Sequence, residues 1–99
     1  MSRRLKLHER LLGILPDAYF QPPGNVRMKY PCILYKRAGA DAKRADDGIH
    51  RATQSYTVTV IDRDPESPAS AKVAALPMCR YDRSYAADGL NHDVYTLYF

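Results

Sequence analysis

A chain of 99 residues can build one hydrophobic core but not separate substrate and cofactor lobes, so a single domain spanning residues 1–99 is expected. Fifteen Lys and Arg against eleven Asp and Glu give a formal charge of +4, compatible with nucleic acid, an acidic partner or plain solubility and selective for none of them. No apolar run approaches a membrane span and the N-terminal segment lacks the apolar core and cleavage site of a leader, so no membrane contact and a cytosolic setting are expected.

From Ser2 to Leu15 the apolar residues Leu5, Leu7, Leu11, Leu12, Ile14 and Leu15 recur at helical period, with Arg3, Arg4, Lys6, Glu9 and Arg10 largely outside the stripe. The spacing predicts an amphipathic first helix capped by Ser2 and ended by Pro16. Asp17 to Val26, with Pro22-Pro23-Gly24-Asn25 inside it, reads as a turn-rich connector.

Met28 to Arg37, MKYPCILYKR, is β-prone, with Tyr30, Cys32 and Leu34 on one face and Ile33 and Tyr35 on the other, which suggests a sheet covered on two sides. Pro31 offers no ladder donor and predicts an edge position or an irregularity. Gln54 to Asp62, QSYTVTVID, alternates most clearly, with Tyr56, Val58 and Val60 opposite a Thr face expected to be half-buried. Between them, residues 38–53 form a long connection rich in Ala, Gly and charge; an extended hairpin arm and a mobile surface loop both fit it, and Lys43, Arg44 and Arg51 suit it to docking.

Beyond a turn at Arg63-Asp64-Pro65, a short helix is predicted near Ser67-Pro68, with Val73, Ala74 and Leu76 on its buried side and Pro77 limiting it. Tyr81 to Phe99 then reads as strand, Asp88-Gly89 turn and strand, with apolar side chains continuing to Leu97-Tyr98-Phe99; such a segment is expected to be covered by its own sheet or by a neighbouring subunit. The expected fold is α+β: a small, mostly antiparallel sheet of about four strands with the N-terminal helix and a second short helix packed on it.

Catalytic and metal signatures are weak. His8, His50 and His92 have no ligand spacing, and Cys32 and Cys79 each sit in a strand-like run, where a free thiol behaves as a small buried hydrophobe. Cys79, His92 and Asp93 have residue types found in nucleophilic sites but no accompanying motif, and no enzyme or cofactor is expected. Asp62, Asp64 and Glu66 read as a solvated turn leading to a helix N-terminus rather than a divalent-metal loop. The cations are dispersed over the first helix, the long loop and Arg80 and Arg83, which argues against a compact DNA-reading helix while leaving nonspecific phosphate contact open. Eight tyrosines and no tryptophan suit core edges and protein interfaces. The candidate interface comprises Tyr85, Tyr95, Leu97, Tyr98 and Phe99 together with Lys43, Arg44 and Arg51.

The strings MKYPCILYKR (28–37), SYTVTVIDRDP (55–65), KVAALPMCRYDRSY (72–85) and ADGLNHDVYTLYF (87–99) resemble the tail terminator, or tail-completion, proteins of long-tailed bacteriophages. Residues 38–53 carry no part of the resemblance. It implies a structural protein of the virion neck, assembled in the host cytoplasm as a homohexameric ring on the finished tail tube. Its partners would be the tail tube protein and a head-connector or stopper protein, with only incidental DNA contact in the channel and no cofactor. Another neck component, such as a head-closure or adaptor subunit, and a basic nucleic-acid-binding module are the alternatives.

Overall fold

The computed structural model describes residues 3–22, 24, 27–39 and 54–99. Two helices and five strands follow one another as α1 (Arg3–Leu12), β1 (Ala18–Phe20), β2 (Cys32–Gly39), β3 (Ser55–Asp62), α2 (Pro68–Ala74), β4 (Cys79–Ala87) and β5 (Leu90–Tyr98). The strands form one sheet in the order β1-β2-β3-β5-β4, antiparallel except for the parallel pair β1–β2. The architecture is the expected α+β domain, with five strands instead of about four. The additional strand is Ala18–Phe20, inside what reads from sequence as a connector; three residues in a Pro- and Gly-rich setting are too few to show a period.

Several boundaries differ from expectation for identifiable reasons. α1 ends at Leu12 rather than Leu15 because its last turn tightens: the Gly13 N–H is shared between the Glu9 and Arg10 carbonyls, each at 3.2 Å, and Ile14 N–H reaches back to Leu11 O at 2.9 Å. The apolar stripe is also narrower, with Leu7 and Leu11 buried but Leu5 and Leu12 over two-fifths exposed. β2 starts at Cys32, just past Pro31, so the proline lies outside the ladder and β2 is an interior strand, not an edge. Residues 38 and 39 belong to β2, while the rest of the long connection, 40–53, lies outside the described residues.

The strand register assigns every paired side chain to a face. On one face Ile33, Val60 and Asp93 lie in a row, Tyr35, Val58 and Tyr95 in the next, and Tyr56 and Leu97 beyond them. Leu7 and Leu11 of α1 and Ala69 and Val73 of α2 complete this single core, so both helices cover the same face. The two-sided covering expected from the β2 sequence is not found among the described residues. Ser67 caps α2, its hydroxyl accepting the Ser70 N–H at 3.4 Å, and Pro68 occupies the first helical position, where a missing donor costs nothing. The β4–β5 hairpin turns on Asp88 and Gly89 with φ of 54° and 75°, the left-handed pair that a two-residue turn needs for strands of normal twist.

Candidate functional site

The face away from the helices is built by the other half of the register. Lys36, Thr57, Thr96 and Arg80 form one row across it; Leu34, Thr59, Val94 and Arg83 form the next; Cys32, Ile61, His92 and Tyr85 form a third. A bulge at Asp82 decides the composition of its β4 margin. Tyr81 pairs with Tyr95 on the helix side, whereas Arg83 pairs with Val94, so the extra residue brings Arg80, Arg83 and Tyr85 onto the same open face. Every paired charged side chain on this face is a cation, because no Asp or Glu occupies a paired position there.

The surface is shaped as well as charged. A depression of about 180 Å³ crosses it, with Leu34 and Lys36 at one side, Thr57 and Thr59 in its floor, and Arg83, Tyr85 and Val94 at the other. Thr59, Ile61 and Val94 are buried, while Lys36, Arg80 and Arg83 are exposed, giving a packed floor under mobile-tipped cationic walls. Tyr85 stacks on His92 with ring centroids 4.6 Å apart and remains 46 % exposed. A wider groove of about 550 Å³ lies beside β2, between Gln21, Pro22 and Met28 and the side chains from Leu34 to Arg37.

β4 forms one border of the sheet and is exposed along almost its entire nine residues. Among the described residues no strand lies beside its outer ladder groups, and Met78 and Tyr81, 67 % and 62 % exposed, project large apolar surface at the same margin. Long exposed edges of this kind are sites where another chain pairs or packs.

The candidate interface residues divide accordingly. Tyr85 stands on the open face. Tyr98 and Phe99 are half-buried, their N–H groups donating to Met78 O and Gln54 O, each at 3.0 Å. Tyr95 and Leu97 are corrected from interface to core: both point to the helix side and are 5 % and 1 % exposed, so they hold the hairpin from within. Lys43, Arg44 and Arg51 lie outside the described residues. Sequence reading missed Lys36, Arg80 and Arg83 as a group, since strands three positions apart in the sheet bring them together and the bulge changes the parity between the two arginines.

Much of the basic charge of α1 is directed at its own chain. Arg3 Nε donates to Phe99 O at 2.9 Å, and the Arg3 and Arg10 guanidiniums lie 5.4 and 5.6 Å from the Phe99 ring centre. Arg4 sits 4.5 Å over the Phe20 ring. The carboxylates past β3 are likewise used locally: Asp62 Oδ1 accepts the Asp64 N–H at 3.0 Å and Asp64 Oδ1 accepts the Glu66 N–H at 2.9 Å, shaping consecutive turns. The turn leads into α2 as expected, Glu66 standing immediately before the Ser67 cap, with no acidic residue inside the first helical turn.

Cys79, His92 and Asp93 are not brought together: His92 lies on the open face, Asp93 and Cys79 on the other, and Asp93 is engaged by two serines. Cys32 and Cys79 are free and occupy opposite faces of strands separated by two others. Burial pushes the Cys32 thiol up to about 11, Asp17 adding to the rise, and burial also raises Cys79. Both are poor thiolates at neutral pH. Alkylation by iodoacetamide at pH 7.5 is therefore expected to be slow for both in the native state and rapid after denaturation; equal rates in the two states would refute the buried setting of Cys32. Among the described residues no three His, Cys, Asp or Glu side chains gather into a metal-binding group. Comparison with family models, curated proteins and solved structures yields no match.

Proposed function

We propose that the chain is a ring-forming tail terminator of a long-tailed phage, six copies capping the finished tail tube, ending its polymerisation and presenting the joint to the head connector. The observation that carries this reading is the nine-residue border strand β4, exposed at every position but Cys79, beside a sheet face that no described helix covers. A subunit with helices on one face, an exposed border strand and exposed cations on the other face has surface for a neighbour on two sides, and head-to-tail contacts between identical subunits close into rings when the rotation permits.

The function is geometric. One side of the ring repeats the contacts of a tube subunit, and the other withholds the surface that a further tube ring needs. Tyrosines at the β4 margin suit such a joint, providing apolar area together with a hydroxyl that tolerates partial wetting. Genome passage favours a channel without strong phosphate binding, and the engagement of Arg3, Arg4 and Arg10 with aromatic rings fits that requirement.

Mass measurement of the purified protein, alone and with tail tubes, followed by electron microscopy, is the test. Rings at tube ends are the expected result. Rings bound to portal complexes instead would make the chain a head-closure or adaptor subunit. A monomer that binds DNA with steep salt dependence would replace the proposal with the nucleic-acid reading, for which the three cations of the open face are the relevant feature.

A further inference from the structure

We infer that the depression between Lys36 and Arg83 on the open sheet face receives the acidic β3–α2 corner of the next copy, so that the ring closes by a basic-face-to-acidic-corner contact. This rests on the ring reading above and specifies its seam. The receiving surface has a packed floor of Thr59 and Val94, cations on both walls and no paired carboxylate. The same chain exposes the complement at another place: Asp64 and Glu66 are exposed, Asp62 is half-exposed, and Arg63 is the sole opposing charge between them. The turn bonds from Asp62 to Asp64 and from Asp64 to Glu66 hold this corner in a defined shape and leave carboxylate oxygens free to accept from a partner.

The two surfaces cannot satisfy each other within one chain. Asp62 lies three and five residues along β3 from Thr59 and Thr57 in the floor of the depression, roughly 10 and 17 Å at strand rise, and on the opposite face of the strand, and Asp64 and Glu66 lie past the end of that strand. Exposed charges at that separation are largely screened at physiological salt. Complementary patches at different positions on one subunit can pair head to tail, and such contacts propagate into a ring when the rotation closes. Charge pairing of this kind fixes register and selects the partner more than it adds affinity.

Two full-length variants test the seam. K36E/R83E makes the face acidic and D64K/E66K makes the corner basic; all four positions are exposed, so K36E/R83E should melt close to the unaltered protein and D64K/E66K, which gives up the one exposed turn bond from Asp64, only slightly below it. Each variant alone is expected to lose the ring and run at the 11.2 kDa monomer mass. Mixed in equal amounts they should regain it, because the acidic face of one now fits the basic corner of the other and the unaltered surfaces match in the reverse direction. Ring formation by either variant alone, or an unassembled mixture where the unaltered protein forms rings, overturns the seam while leaving the ring intact. An unaltered protein that forms no ring, even on tail tubes, overturns the ring reading and the seam with it. Salt-sensitive DNA binding that K36E/R83E abolishes and D64K/E66K retains assigns the face to phosphate and refutes the contact.

Discussion

Tyr35→Ala is expected to lower the unfolding free energy by about 3–5 kcal/mol, the range for removing a buried aromatic side chain, and to leave a domain of this size barely folded. Tyr35 is completely buried at the centre of the sheet. Phe20 and Tyr56 pack against its ring with centroids 5.0 and 6.1 Å away, and its hydroxyl lies 2.6 Å from His8 Nδ1, linking β2 to α1. Tyr35→Phe keeps the ring and should cost only about 1 kcal/mol, the net value of one hydrogen bond. Urea denaturation of both variants separates packing from polar contact; equal losses would show that the hydroxyl and not the ring dominates.

The same phenol gives an alkaline signature. Burial raises its pKa above the ordinary value of 10.0, partly opposed by Arg4. The folded state thus holds the proton more tightly than the unfolded chain, so the stabilisation is fully present below pH 10 and is lost as pH rises through the folded value. Tyr35→Phe should flatten that portion of the stability profile. An unchanged alkaline slope would place the titrating group elsewhere.

What sequence reveals here follows the number of residues carrying each signal. β3 is legible because six alternating positions agree, β5 because apolar and aromatic residues continue through its second half, and the hairpin turn because Asp-Gly chemistry is specific to φ > 0. β1 is illegible because its identity depends on a parallel pairing with Ile33 to Tyr35, a nonlocal fact. The faces of β4 are hidden for a related reason. Simple alternation through CRYDRSY would put Arg80 with Asp82 and Ser84, and Tyr81 with Arg83 and Tyr85, mixing charges on one side. The bulge at Asp82 instead joins Arg80 to Arg83 and Tyr85 and leaves Tyr81 against Tyr95, with ring centroids 5.9 Å apart. Tyr95 and Leu97 read as interface residues because hydrophobicity alone does not say whether a large side chain meets its own core or another subunit.

Asp93→Ala is expected to destabilise the protein by about 2–3 kcal/mol, comparable to losing hydrogen bonds to a charged acceptor, although Asp93 is neither apolar nor fully buried. Its two oxygens tie three elements together: Ser70 Oγ of α2 donates to Oδ2 at 2.7 Å, and Ser84 Oγ of β4 donates to Oδ1 at 2.7 Å. Tyr81 extends the network by donating to Ser84 Oγ at 2.9 Å. Since the one Ser70 proton goes to Asp93, the 2.6 Å contact between Ser70 and Tyr95 must be donated by the tyrosine. Alanine at 93 strips both acceptors and leaves the buried Ser70 hydroxyl without the acceptor of its proton, Tyr95 remaining beside it. Asparagine keeps one carbonyl acceptor, and a serine hydroxyl can rotate to accept from the amide, so Asp93→Asn should cost only about 1 kcal/mol, near one neutral hydrogen bond. Hydrogen exchange should show β4 amides opening more readily in the alanine variant, with β2 and β3 little changed. Uniform acceleration across all strands would mean that the residue supports the whole core instead of anchoring the hairpin. Because β4 carries Arg80, Arg83 and Tyr85 on its other side, a hairpin loosened at Asp93 should also weaken the proposed ring, and Asp93→Asn should restore most of it.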